Sequence, residues 1–180
     1  MTVRTIKSSP VLWVMIWYVL IIAFFASVWM MAGTAGLGFP GNLLGVIIAI
    51  GGSILFALIM FSRQTPARSY GLAPDLRWYW AAVGFEVVAI IISVWWLGRI
   101  DRPDYILPVI SVIVGIHFFG LVPAFHSLRF FWIGLVMFLL PIFAILLLPS
   151  ELRGQHGPVS VRSLVVGVGC ALTLWLGALL

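Results

Sequence analysis

Long apolar runs occupy most of this 180-residue chain, and they limit its possible folds more than any other feature. Hydrophobic residues make up 63% of the chain and charged residues only 8%. The hydrocarbon core of a bilayer is about 30 Å thick, so a spanning helix needs roughly 20 apolar residues. The runs have that length. The sequence therefore predicts an integral membrane protein with a single membrane domain over residues 1–180.

The expected fold class is all-α, a polytopic transmembrane helix bundle with short loops. Backbone groups in lipid must bond within their own segment, so apolar runs form helices rather than open strands. A transmembrane barrel would instead show segments of about 10 residues that alternate between apolar and polar, and the runs here do not alternate. We predict six spans, which are Val11–Met31, Leu43–Phe61, Trp78–Leu97, Tyr105–Val122, Phe130–Leu148 and Leu164–Leu180.

Some of these boundaries leave alternatives open. The fourth run is short and contains Pro108 and His117, so a five-span arrangement with a re-entrant fourth segment is the alternative. The first run follows two basic residues, as in a signal peptide, but it exceeds the roughly 7–15 apolar residues of such a peptide. We therefore expect a retained span. The segment Gly33–Gly41 is rich in helix breakers and predicts a loop.

Basic residues and tryptophans indicate how the chain is oriented. Lys and Arg excess marks the cytoplasmic side. Six basic residues lie on the side of both termini and four on the other, which predicts cytoplasmic termini in the plasma (inner) membrane. These are Arg4, Lys7, Arg63, Arg68, Arg77 and Arg129 against Arg99, Arg102, Arg153 and Arg162. Tryptophans near span ends are expected to be interface anchors: Trp13, Trp17, Trp29, Trp78, Trp80, Trp95, Trp96, Trp132 and Trp175.

The net charge of +5 does not indicate nucleic-acid binding. No basic stripe is present, and basic loops beside spans fit contact with anionic lipid. The expected partners are the lipid bilayer and either further copies of this chain or another membrane protein.

Small residues predict where helices meet, because lipid gives little hydrophobic drive and close backbone approach supplies the contact. We expect the second, third and sixth spans to form a tight centre and the fifth to face lipid, with a kink at Pro141. Helix packing is the expected role of these small residues, and lining a conduit is the alternative. They are Gly45, Ala49, Gly52, Ser53, Ala82, Ser93, Gly115, Gly120 and Gly167.

Glu86 and His117 are the strongly polar ionisable residues deep inside the predicted spans. Such residues are costly in lipid and face a partner or water. A proton relay or ligand contact is one hypothesis, and a structural hydrogen bond between helices is the other. Each residue lies about 13 positions from the Arg99–Asp104 turn, so their depths match in an antiparallel hairpin. We predict that they form a pair.

Motifs for other chemistries are absent from the sequence. It has no GxxxxGK[ST] phosphate loop, no HExxH, no CxxC and no GxSxG. The single cysteine, Cys170, excludes an intrachain disulfide and is expected to fill space. We expect no cofactor and no metal site.

Three functional hypotheses remain. The first is a small proton-linked transporter or channel-like protein that uses Glu86 and His117. The second is a non-transporting membrane component, such as an assembly factor, sensor or subunit, that acts through helix contacts. The third is an intramembrane lipid-modifying enzyme with one of these two residues as acid or base.

Overall fold

The computed structural model describes residues 10–62, 75–154 and 157–179, which are almost entirely helical. The long helices are α1 Pro10–Thr34, α2 Gly38–Ser62, α3 Leu76–Arg99, α4 Ile106–Phe125, α5 Leu128–Leu147 and α6 Val161–Leu179. Short 3₁₀ turns cover Ala35–Leu37 and Pro103–Tyr105. The α5–α6 connection contains an antiparallel hairpin of β1 Glu151–Gly154 and β2 Gly157–Ser160. The sequence patterns did not predict this hairpin.

Five helical segments in the described ranges are long and apolar enough to cross a membrane. The first segment, Ile16–Ser62, contains most of α1 and all of α2. The others are Leu76–Arg99, Pro103–Phe125, Leu128–Leu147 and Val161–Leu179. The predicted class, an all-helical chain with apolar segments of spanning length, is confirmed at this level.

The predicted loop over Gly33–Gly41 is wrong, because most of this segment is helical. α1 continues to Thr34, whose hydroxyl donates to the Met30 carbonyl at 3.0 Å. Gly38 then begins α2 with a φ of 76°, a left-handed conformation that costs glycine little. The turn between the helices is only three residues long. α1 and α2 therefore fold back on each other as a hairpin.

α4 also extends further than predicted, through Pro123 to Phe125. Proline in a helix interior removes one backbone hydrogen bond, but the helix continues for two more residues before ending at the left-handed His126. Pro108 stands in the first turn, where backbone N–H groups have no partner within the helix. The 20 residues of α4 form one continuous helix that is long and apolar enough to span a membrane.

The helices pack in a different order from the one expected. α2 packs on α1, α1 on α6, α6 on α5, α5 on α4, and α4 on α3. The prediction of a centre made by the second, third and sixth helices is therefore wrong for α2 and α3, which lie at the edges. The fifth helix, which was expected to face lipid, does have an exposed apolar face. It is not peripheral, however, because its other face buries Ile133, Gly134, Met137, Pro141 and Ala144. Pro141 lies inside α5.

The packing order depends on which helices carry small residues at positions that match. A stripe of small residues permits close approach but does not select a partner. On α5, Gly134 meets Gly115 of α4 so closely that a Cβ on Gly115 would lie 2.9 Å from the Gly134 carbonyl oxygen. On α3, Ala82 is the one buried residue. The stripe of small residues on α3 therefore does not place this helix at the centre of the bundle.

The small residues singled out from the sequence lie at these helix contacts. Gly45 is against Thr34, Gly52 against the Trp175 ring, Gly120 against Ala82 and Gly167 against Gly33. Ser53 lies 2.9 Å from Ser27 between α1 and α2, and Ala49 is buried beside that contact. Ser93 is half-buried on the side of α3 that faces α4.

Two of the tryptophans do not lie at the surface. Trp29 and Trp175 are 6% and 7% exposed, so the prediction of interface anchors is wrong for them. Gly52 leaves room for the Trp175 ring between α2 and α6. The exposed tryptophans are Trp17, Trp78, Trp80, Trp95, Trp96 and Trp132. Arg4, Lys7, Arg63, Arg68 and the side chains of Trp13 and Arg153 lie outside the described residues.

Three connections meet at one end of the bundle. The hairpin strand Gly157–Ser160 contacts the turn Ala35–Leu37. Arg162, at the start of α6, approaches Asp104 in the turn before α4. At the opposite end, the backbone N–H of Asp75 donates to the Ala124 carbonyl at 2.9 Å. Successive helices therefore run in alternating directions.

Candidate ion-pair site between α3 and α4

Glu86 of α3 and His117 of α4 lie side by side in the middle of their helices. The carboxylate Oε2 is 3.2 Å from the imidazole Nδ1. The His117 side chain is 11% exposed and the Glu86 side chain 21%. The structure thus brings together the two deep ionisable residues that the sequence singled out. They lie at the same distance from the turn between α3 and α4, as predicted.

A close helix crossing one turn away holds α3 against α4 at this depth. Ala82 precedes Glu86 by four residues, and Gly120 follows His117 by three. A Cβ on Gly120 would lie 2.9 Å from the Ala82 Cβ. Because the two helices are antiparallel, this crossing lies on the same side of both members of the pair. The absence of a side chain at Gly120 therefore brings the carboxylate within reach of the imidazole.

The contact is electrostatic rather than a well-aligned hydrogen bond. Nδ1 is buried and has no hydrogen-bond partner of acceptable angle, although Oε2 is within hydrogen-bond distance. Hydrogen bonds weaken steeply as the donor turns away from the acceptor. The attraction therefore depends on the charge of the imidazole, which forms an ion pair with Glu86 only when it is protonated.

The pair lies at the edge of the bundle. α3 packs mainly on α4, and the flanking residues Phe85, Val87 and Val88 are about half exposed. These apolar side chains point away from the bundle, while Glu86 faces α4. The sequence predicted that Glu86 faces a neighbouring helix or water, but not that this neighbour is α4 alone.

A cavity of about 310 Å³ lies further along the same α3–α4 contact, towards the Arg99–Asp104 turn. Ser93 contributes the polar group in its lining. The cavity is open at its side, where α3 and α4 meet the surface of the bundle.

Arg162 forms a second polar cluster, although the sequence analysis assigned it no role beyond its charge. Its Nε donates to the Leu148 carbonyl at 3.1 Å, and its Nη2 to the Ile145 carbonyl at 3.2 Å. Its Nη1 is 3.7 Å from Asp104 Oδ2, and the guanidinium lies 5.4 Å from the centre of the Tyr105 ring. One side chain therefore ties the end of α5 to the turn before α4. The feature of the sequence that could have indicated this role is a basic residue next to the end of a predicted span.

Ser111 and Cys170 form a third, fully buried polar contact, which the sequence did not predict. The Ser111 hydroxyl donates to the Met137 carbonyl at 2.7 Å and lies 3.1 Å from the Cys170 sulfur. Both residues are 0% exposed. This contact joins α4, α5 and α6, so Cys170 is a member of a polar link as well as a space-filling residue.

None of these three clusters has the composition of a metal site. In the ranges that the structure describes, no group of three or more His, Cys, Asp or Glu side chains could hold a metal ion. By itself, the Glu86–His117 site can bind and release a proton, or it can bind a charged group.

In comparisons with known proteins, no family model, no curated protein and no solved structure matches this chain.

Proposed function

We propose that this chain is a six-span protein of the plasma (inner) membrane with both termini in the cytoplasm. Two features support six spans. The first apolar segment contains the two helices α1 and α2, which are joined by a tight turn. The α1–α2, α3–α4 and α5–α6 connections also lie at one end of the bundle. The excess of basic residues at the other end supports the orientation.

We further propose that the protein is a small proton-linked transporter and that Glu86 and His117 form its proton relay. The observation that carries this proposal is the 3.2 Å approach of two ionisable side chains at the middle of apolar helices. Ionisable residues at membrane depth mark proton and substrate pathways more often than buried polar residues do elsewhere. Histidine adds a group that changes charge near neutral pH.

The pair has two charge states that suit such a role. With a neutral imidazole and an ionised carboxylate, the site carries one net negative charge on Glu86. With a protonated imidazole, the ion pair is neutral as a whole. Since α3 packs mainly on α4, a shift of this one helix changes the surroundings of the pair without disturbing the α1–α6 and α4–α5 contacts. Proton uptake and a movement of α3 are thereby linked in the proposed mechanism.

We propose that the transporting unit is a homo-oligomer. The pair lies on an edge helix rather than between three or more helices, so one chain surrounds it on one side only. A second copy placed against α3 would enclose the remaining exposed part of Glu86. This arrangement would place the relay at the centre of the assembly.

Proton flux in proteoliposomes tests the proposal. Vesicles with an internal pH-sensitive dye are compared for the wild type, Glu86→Gln and His117→Gln. The matched control is Asp101→Asn, which changes an exposed carboxylate in the turn. We expect flux in the wild type and the control and its loss in both site variants. Equal flux in Glu86→Gln, or no flux in any protein under an imposed gradient, would reject a relay at this pair.

The second candidate is a membrane component that acts through helix contacts without transport. The observation that favours it is the open space beside Gly51 of α2 and Gly84 of α3, where a Cβ would meet nothing within 4 Å. Both glycines are exposed on edge helices, where another helix could approach closely. This function predicts that Glu86→Gln is tolerated, whereas Gly84→Leu abolishes co-purification with a membrane partner.

A further inference from the structure

The cavity between α3 and α4 lies on the same helix interface as the Glu86–His117 pair. It is lined by Ile92, Ser93, Trp96 and Leu97 of α3 and by Val109 of α4. Its volume of about 310 Å³ is within the range of pockets for small molecules, roughly 300–1,000 Å³. Its walls are almost entirely apolar, so a ligand there must present a largely apolar surface.

The cavity and the pair are close enough to contact one bulky molecule. Ser93 follows Glu86 by seven residues, and Val109 precedes His117 by eight. At 1.5 Å per residue, these spacings correspond to about 10–12 Å along the helices. Ala89 and Ile90 of α3 and the buried Ile113 of α4 lie between the cavity and the pair. A molecule that contacts both therefore lies along the open side of the α3–α4 contact, where Glu86 is partly exposed.

We infer that the cavity and the ion pair together form one site for a lipophilic organic cation that exchanges with a proton. This inference rests on the proposed transport function and names its substrate class. The apolar cavity takes the hydrophobic body of the cation, and the Glu86 carboxylate attracts its positive charge. Cation and proton compete, because the site carries a net negative charge only while His117 is neutral.

Charge complementarity selects a cation over an anion or a neutral molecule. Glu86 is the one carboxylate in the interior of these apolar helices. Tryptophan rings attract cations through their π faces, and Trp96 lines the cavity. The neighbouring Trp95 already carries such a contact, because the Arg99 guanidinium lies 4.8 Å from its ring centre. An anion in the same position would be repelled by Glu86.

Glu86 and His117 are the ionisable residues in the middle of α3 and α4. α4 and the turn Pro103–Tyr105 pack on α3, and α5 and α6 pack on α4. Cys170 is bonded to Ser111, six residues or about 9 Å along α4 from His117. The remaining charged or titratable groups described on these elements are Arg77, Tyr79, Arg99, Asp104, Tyr105, Arg129 and Arg162, all at or near helix ends.

Binding of radiolabelled tetraphenylphosphonium to the purified full chain in neutral detergent tests this inference. The apparent affinity for tetraphenylphosphonium should increase as the pH rises. The increase should be up to about tenfold per pH unit over the range in which the imidazole of the pair is protonated. Binding in unbuffered solution should release up to about one proton per cation, since the coupling is reciprocal. Tetraphenylborate, an anion of the same shape, should not compete.

Two variants measure separately how the charge and the cavity contribute to binding. Glu86→Gln should weaken binding by at least about tenfold and abolish its pH dependence, because the attracting charge is removed. Ser93→Phe fills the cavity, so it should weaken binding while the remaining binding keeps its pH dependence. Ile91→Phe is the matched control, since Ile91 is 63% exposed on the same helix. Thermal unfolding confirms that each variant is folded.

The outcomes distinguish this inference from the proposed function. Equal binding of tetraphenylphosphonium and tetraphenylborate, or binding in Glu86→Gln as in the wild type, overturns the cation site. This conclusion holds even if proton flux is lost in Glu86→Gln and transport therefore stands. Saturable, proton-releasing binding without proton flux, even when a gradient of tetraphenylphosphonium is imposed on the vesicles, supports the cation site and rejects transport.

Discussion

Gly33 of α1 lies directly against Gly167 of α6, with the backbones of the two helices in contact. A Cβ atom on Gly33 would lie 2.8 Å from the Gly167 Cα and 3.1 Å from the Ser163 carbonyl oxygen. Both helices belong to the central part of the bundle, so this crossing fixes how the α1–α2 hairpin is attached to α6. No side chain larger than hydrogen fits at either position without a shift of backbone.

Gly167→Val should therefore destabilise the protein strongly. Overpacking of a well-packed contact costs about 1–3 kcal/mol, and the clash here is with backbone that cannot rotate away. Gly51→Val is the matched control, because a Cβ there meets nothing within 4 Å. Thermal unfolding in detergent measures the difference. A similar fall in unfolding temperature for both variants would show that the α1–α6 crossing is not tight.

Replacement of Arg162 by Gln should cost more stability than replacement of Asp104 by Asn. Arg162 serves two backbone carbonyls as well as the carboxylate, and bonds from charged donors are worth about 1.5–3 kcal/mol. The ion pair itself is long, at 3.7 Å and partly exposed, so its loss should cost about 0–1 kcal/mol. Chemical unfolding of both variants, with Arg99→Gln as a control, measures the two losses of stability. A larger loss for Asp104→Asn than for Arg162→Gln would contradict the role assigned to the bonds from Arg162 to the backbone carbonyls.

Cys170 should be unreactive towards maleimides in the folded protein. Its side chain is 0% exposed and lies 3.1 Å from Ser111, so reagent cannot reach the sulfur. Labelling should appear only as the protein unfolds, and its temperature dependence should follow the unfolding curve. Ser111→Ala should lower the labelling temperature, because about 0.5–1.5 kcal/mol of hydrogen bonding is lost. Rapid labelling of the native wild type would place Cys170 outside the helix contacts.

Glu86 and His117 should be energetically coupled in a double-mutant cycle. Glu86→Leu or His117→Leu alone leaves a polar partner facing apolar surroundings, whereas the double change leaves two apolar side chains in contact. We expect a coupling energy of about 0.5–3 kcal/mol, and a double variant close to the wild type in stability. Chemical unfolding of the four proteins measures the coupling. Additive effects would show that the 3.2 Å contact is absent in the bilayer.

Cysteine labelling in intact cells should establish the orientation. In a Cys170→Ala background, a cysteine at Asp101 should react with a membrane-impermeant maleimide, and a cysteine at His126 should react only after permeabilisation. Both residues are exposed in turns at opposite ends of α4. Labelling of position 126 but not 101 would invert the proposed topology, and labelling of both or neither would argue against α4 as a span.

The sequence by itself determined that this chain is helical and apolar at spanning length, because unbonded backbone is excluded from hydrocarbon. It also determined the shared depth of Glu86 and His117, since the helical rise fixes distance from a common turn. The edge position of α3 could not be predicted in this way, nor could the central position of α5.

Only the tertiary structure decided which faces meet. Lipid and protein interior are both apolar, so hydropathy does not separate a buried face from a lipid-facing one. The choice depends on fit between backbones at single positions, such as Gly33 with Gly167 and Gly115 with Gly134. It also depends on polar links between distant segments, such as Arg162 with Asp104 and Ser111 with Cys170. These contacts join residues far apart in the chain, and no local pattern specifies them.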